Sequence, residues 1–187
     1  MSLPHKHPIS LEEFYKRREQ HEQVCEYIDG IVYMSPSPST AHQRIQGRLH
    51  VQLYHLLEEA DCEVFLSPYD IELKKDGIEG KKIVVPDLSV ICDKNGLGET
   101  RYTGVPTLIV EIVSPSNQAH DLVTKLNLYM QYGVKEYWIV NPILKTVQLY
   151  VLNDEENYIL KDVAKEAGWV KSQLFPEFQV NLKNLFS

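Results

Sequence analysis

The sequence predicts a single α/β domain, residues 1–187, of the mixed α+β kind: a mixed β-sheet flanked by helices, with an N-terminal helix and β-hairpin ahead of it. Three observations predict it. One long stretch carries a continuous apolar stripe at helical spacing, and five runs rich in β-branched and aromatic residues follow it. Between Leu108 and Asn141 the order strand, helix, strand is long enough for a right-handed parallel crossover, whereas Asn141-Pro142 leads into Lys145 as a hairpin.

Each element has a local reason. Ser10 followed by Glu13 forms a capping-box pattern, with Leu11, Phe14 and Tyr15 behind it at helical spacing, so a first helix runs from about Leu11 to His21. Cys25 to Ile28 and Ile31 to Met34 flank Asp29-Gly30, two residues that tolerate the positive φ of a tight hairpin turn. After the Ser35-Pro36-Ser37-Pro38 loop, Thr40 caps a helix whose stripe is Ile45, Leu49, Leu53, Leu56, Leu57 and Ala60. Strands are expected at Val64 to Leu73, Ile83 to Cys92, Leu108 to Val113, Glu136 to Asn141 and Lys145 to Leu152. A crossover helix, about His120 to Tyr132, buries Leu122, Leu126, Tyr129 and Met130 and ends at Gly133. Asn153 to Gly168 is polar and weakly periodic, and Leu182 to Phe186 forms a last helical turn.

Composition bounds the function. With 187 residues, 43% hydrophobic and 24% charged, the chain matches one ordinary globular domain. Its apolar runs fall far short of the ~20 residues of a membrane span. The N-terminus lacks the apolar core of a secretory signal. A soluble, cytoplasmic protein with no membrane partner is expected. The formal charge of −7 gives no global attraction to nucleic acid, so such a partner must be met by a local basic surface or through metal ions. Cys25, Cys62 and Cys92 are odd in number and widely spaced, and read as buried thiols rather than a disulfide framework or zinc knuckle. The aromatic and apolar residues of the Tyr137 to Tyr150 strands are enough to overfill one core and raise the expectation of a homodimer.

Two acids resist a purely structural reading. Strand alternation puts Asp87, just after Pro86, on the face opposite Leu88, Val90 and Cys92. Glu111 sits inside Leu-Ile-Val-Glu-Ile-Val and shares a face with Ile109 and Val113. An ionised carboxylate taken out of water must find a cation, a donor or a proton. Two such acids on neighbouring strands point to one shared hard cation, Mg²⁺ or Mn²⁺, completed by waters and phosphate oxygens. On the crossover helix, Lys125 stands four residues after Asp121 and on the same helical face, where an ammonium can orient a water or stabilise charge on a phosphorane-like transition state. The ordinary alternatives are an Asp87 that accepts backbone hydrogen bonds, an exposed Asp121–Lys125 ion pair, an exposed Glu26 and a helix-capping His42. The pairing of Asp87 with Glu111 favours a site. The histidine pairs His5/His7 and His50/His55 lack metal-site company, the Gly77 to Lys82 loop lacks phosphate-loop spacing, and no serine lies in a Gly-x-Ser-x-Gly elbow.

Pro86-Asp87 followed by Glu111-Ile112-Val113 resembles the PD-(D/E)XK nuclease superfamily, and more closely the Uma-two family of restriction-endonuclease-like proteins. The likeness extends through Glu26-Tyr27-Ile28-Asp29-Gly30, His42, Val85 to Val90, Val110 to Ser116, Asp121 to Lys125 and Gly133 to Trp138. It implies a restriction-endonuclease-like mixed sheet flanked by helices and metal-dependent hydrolysis of phosphodiester bonds in DNA. It also implies that Asp87 and Glu111 hold the metal, that Glu26 is a further metal or water ligand, and that His42 lies near the site. One position departs from the pattern: the superfamily's lysine, two residues after the acid, is Val113 here. Lys125 is its substitute, and the competing expectation is a catalytically inert nuclease-fold module that dimerises or associates with nucleic acid.

Overall fold

The computed structural model describes residues 8–20, 23–114 and 120–187, without the side chains of 120–122. Ser10 caps helix α1 (Leu11–Glu19) by accepting from the Glu13 N–H, and Phe14 packs beneath it against Tyr27. Strands β1 (Cys25–Ile28) and β2 (Ile31–Met34) form the expected hairpin. Asp29 (φ 48°) and Gly30 (φ 94°) both adopt the left-handed backbone that such a turn requires. Helix α2 (Thr40–Leu57) begins one residue earlier than its sequence signal, because Ser39 rather than Thr40 supplies the capping oxygen, to the His42 N–H.

Two of the anticipated strands are each split between two sheets. Val64 to Leu73 becomes β3 (Glu63–Leu66) and β4 (Asp70–Leu73), separated at the cis Ser67-Pro68 peptide bond. Ile83 to Cys92 becomes β5 (Lys82–Val84) and β6 (Leu88–Ile91). Pro86 has no N–H for a ladder, so the chain leaves one sheet and enters the other there. The remaining strands are β7 (Arg101–Gly104), β8 (Leu108–Ile112), β9 (Glu136–Asn141), β10 (Thr146–Leu152), β11 (Tyr158–Lys165), β12 (Trp169–Lys171) and β13 (Gln179–Asn181). The polar stretch 153–168, which carried little strand signal, thus contains β11. A register shift against β10 leaves Lys161 as an extra residue, and such a bulge destroys the alternation by which a strand is read.

The main sheet has the order β11-β10-β9-β8-β6-β3 and the second the order β2-β1-β5-β4-β7, with β12-β13 apart. Both anticipated connections hold: β8 and β9 are parallel and β9 and β10 antiparallel. The crossover is a π-helical turn, His120–Lys125, running into helix α3 (Leu126–Tyr132). Gly133 closes it at φ 89°. A last helix, α4 (Leu182–Leu185), matches the final turn read from the sequence.

The main sheet is covered on both faces. Ile45, Leu49, Leu53 and Leu57 of α2 pack against Leu88, Val90, Leu108, Val110, Ile112 and Trp138. Ile109, Val113, Tyr137 and Ile139 on the opposite face meet Leu128, Tyr129 and Tyr132 of the α3 side and Ile71 and Val84 of the second sheet. Burial on this scale is the main stabilising contribution. Tyr137, Trp138, Val140, Val147 and Leu149 are all interior, so the strands that raised the expectation of a homodimer fill this chain's own core.

The cysteine reading is corrected in part. Pairing of β3 with β6 sets Glu63 opposite Ile91, which brings the flanking Cys62 and Cys92 together as a disulfide. Register, not sequence spacing, makes that pair. Cys25 remains a buried free thiol, and burial raises its pKa. Among the described residues no helix is long and apolar enough to cross a membrane.

Candidate active site

The five residues singled out in the sequence come from five separate places in the chain; His42, Asp87, Glu111 and Lys125 line one cleft, and Glu26 lies behind it against Lys125. Glu26 lies in β1, Asp87 immediately precedes β6, Glu111 is the fourth residue of β8, His42 opens α2 and Lys125 ends the turn before α3. Adjacency of β6 and β8, with Leu88 opposite Val110, brings the two acids to the same end of the sheet. The parallel crossover then returns the chain over Glu111.

Lys125 ties the acids together. Its Nζ donates to Glu111 Oε1 at 2.9 Å and lies 2.9 Å from Glu26 Oε1. All three are buried: Glu26 is 1% exposed, Glu111 3% and Lys125 4%. Removing such charges from water is costly, and contact at hydrogen-bonding distance with further donors offsets that cost. Glu26 Oε1 also accepts from the Val85 N–H at 2.8 Å. Glu111 Oε1 also accepts from the Tyr129 hydroxyl at 2.8 Å. Burial, followed by the adjacent Glu111 carboxylate, raises the Tyr129 pKa well above the ordinary 10.0, so the phenol stays protonated and donating.

Asp87 is held differently. Its Oδ2 accepts from the Ile112 N–H at 2.7 Å, and its Oδ1 lies 3.1 Å from His42 Nε2. Gln46, one turn beyond His42, fixes the same segment by donating from Nε2 to the Asp87 carbonyl at 2.9 Å. With Nε2 directed at Asp87, His42 Nδ1 is buried with no protein partner among the described residues. The side chain of Asp121, and with it the Asp121–Lys125 ion pair read from the sequence, lies outside the described residues. Val113, at the position where the lysine pattern fails, is 2% exposed in the core.

The cleft has a volume of about 770 Å³, with Asp87, Glu111, Lys125, His42 and Gln46 among its lining residues. Three carboxylates face one ammonium among the described side chains of this cluster, so the excess charge is negative and suits a cation. Carboxylate oxygens are the donors a hard divalent ion prefers, and a carboxylate has about four acceptor positions, of which Asp87 engages two. Among the described residues, however, no three His, Cys, Asp or Glu side chains converge as a ready cage. The donor set therefore fits an ion held by two carboxylates and completed by water or substrate, in the manner of Mg²⁺.

Two contributors lay outside the sequence reading in their polar roles: Gln46 and Tyr129, the latter expected only as an apolar contact. Each stands four residues after a named site residue, His42 and Lys125, and shares its helical face. That spacing was the available signal.

A family model described as Uma2, putative restriction endonuclease, matches residues 11–183. The chain is similar to two uncharacterized proteins of Synechocystis sp. One, slr1290, is 29% identical over 153 residues, covering 81% of this chain and 78% of the relative. The other, sll1609, is 22% identical over 161 residues, covering 84% and 89%. Among solved structures, a putative nuclease belonging to DUF820 from Anabaena variabilis superposes with a TM-score of 0.74. It covers 96% of this chain and 98% of its own, at 23% identity, which establishes likeness of fold.

Proposed function

We infer a function from one premise, that the chain belongs to the Uma2 family of putative restriction endonucleases. The protein is a metal-dependent, endonuclease-like hydrolase that cleaves phosphodiester bonds in DNA. The observation that carries this reading is that Asp87 and Glu111, from two adjacent strands, line one cleft together with Lys125.

Asp87 and Glu111 are the residues that would hold Mg²⁺ or Mn²⁺, and the ion's contribution would be charge on the phosphate oxygens and a more acidic water. The Ile112 N–H and His42 fix the Asp87 carboxylate, and Tyr129 fixes Glu111, so both acids are oriented before substrate arrives. Lys125 presents an ammonium at the same place, where it orients the attacking water and stabilises charge on the pentavalent phosphorus. Glu26 acts on Lys125, holding its ammonium toward Glu111. That is a positioning role.

Plasmid DNA incubated with the protein in Mg²⁺ or Mn²⁺ tests the reading. Nicking that disappears in Asp87→Ala and in Glu111→Ala supports it. No nicking, or nicking indifferent to both substitutions, removes it.

One observation favours the inert-module reading. Lys125 and Tyr129 already engage Glu111, and Lys125 engages Glu26, an arrangement that meets part of the acids' need for partners without any ion. Mn²⁺ calorimetry separates the two. An inert module takes up no Mn²⁺ that Glu111→Gln abolishes.

A further inference from the structure

The β9–β10 hairpin carries an apolar tip at the edge of the acidic cleft. Ile143 is 66% exposed and Leu144 54%, yet the backbone of the tip is tied by hydrogen bonds. Asn141 Oδ1 accepts from the Ile143 and Leu144 N–H groups at 3.0 and 2.9 Å, and Lys145 turns the chain at φ 50°. Pro142 and Ile143 line the same cleft as Asp87 and Glu111.

An aliphatic tip held in place beside carboxylates has no use for phosphate, but it suits the face of a nucleobase. Apolar wedges of Ile, Leu and Pro are a recurrent means of holding bases out of a stack. Two further features of the cleft point the same way. Its only Lys or Arg lining residue is Lys125, among the described residues, so phosphate contacts in the cleft supply little affinity for any strand and contact with a base has more to contribute. Its volume of about 770 Å³ is that of a pocket for a small ligand, sufficient for a nucleotide withdrawn from its helix.

We propose that the Pro142–Leu144 tip is a base-contacting wedge, and that the substrate class is nucleic acid with an unpaired or extruded nucleotide at the scissile phosphate. This deepens the nuclease reading and rests on it for the chemistry, while its binding component is measured separately. An unpaired base avoids the cost of unstacking that a duplex must bear, and contact with the tip supplies affinity that phosphate contacts in this cleft do not.

The test is a fluorescence titration of oligonucleotides containing 2-aminopurine, single-stranded and duplex, in Ca²⁺. The unsubstituted protein is expected to bind the single strand about tenfold more tightly than the duplex. Ile143→Ala/Leu144→Ala is expected to weaken single-strand binding by about tenfold, the scale of one base–side-chain contact. Ile159→Ala, which removes an equally exposed side chain elsewhere (51%), is expected to change nothing. Equal affinity for the two forms, no binding of either, or an unaffected double variant overturns the wedge. Plasmid nicking on the same preparations keeps the two readings apart. Nicking with an unaffected double variant removes the wedge alone, whereas wedge-dependent strand binding without nicking retains the wedge and removes the hydrolase.

Discussion

Lys125 and Glu111, one on the turn before α3 and the other inside β8, meet at 2.9 Å although they stand fourteen positions apart across a parallel crossover. Both side chains are nearly fully buried. Their contact joins the stability of the fold to the chemistry of the cleft, and substitution should affect both.

Lys125→Met leaves Glu26 and Glu111 buried without their shared cation. Loss of one partner from a buried pair costs about 3 to 5 kcal/mol. Urea unfolding should show a destabilisation of that order at neutral pH, with any nicking activity abolished. A variant as stable as the parent would remove Lys125 from its structural role.

Asp87→Asn preserves size and one oxygen for the Ile112 N–H while removing the charge. Its thermal stability should change by no more than about 1 kcal/mol, within the scale of a single hydrogen bond. Mn²⁺ affinity measured by calorimetry should fall at least tenfold. Unchanged affinity would take Asp87 out of the metal set.

Gly133→Ala probes the scaffold alone. The residue lies at φ 89°, and an added Cβ would meet nothing nearer than Lys75 Nζ at 3.5 Å. The penalty is therefore backbone strain, about 1 to 2 kcal/mol. Gly133→Asn should cost less, since Asn enters this region more readily. Equal melting temperatures for Ala, Asn and Gly at this position would contradict the strain account.

Burial pushes the Tyr158 hydroxyl above the ordinary tyrosine value of 10.0, while it donates to the Val134 carbonyl at 2.9 Å. A raised folded pKa gives a contribution fully present below pH 10.0 and lost as pH rises through the folded value. Stability should accordingly fall with alkali from about pH 10. Tyr158→Phe should lower stability by about 1 kcal/mol near neutrality and flatten the alkaline fall. Parallel curves for the two proteins would contradict this.

Much was legible in the sequence because its causes are local. Positive φ at Asp29 and Gly30, the stripe of α2, the end of α3 at Gly133 and the directions of β8, β9 and β10 each follow from neighbouring residues and chain length. The acids Asp87 and Glu111 stood out because a carboxylate in an apolar strand demands a partner. The splitting of two strands at Pro68 and Pro86, the bulged β11 and the Cys62–Cys92 disulfide did not follow from local pattern. Each depends on which strand lies alongside, and a one-residue offset decides it.

The sequence by itself determined that the chain holds two acids needing partners, a helix bearing Lys125 after the second of them, and the elements of a mixed sheet. Tertiary structure alone decided that Lys125 bridges Glu111 and Glu26, that Tyr129 and Gln46 support the acids, and that Ile143 stands at the same cleft. The reason is physical. Burial and strand order fix the distances at which charges interact, and a linear pattern contains the charges but not those distances.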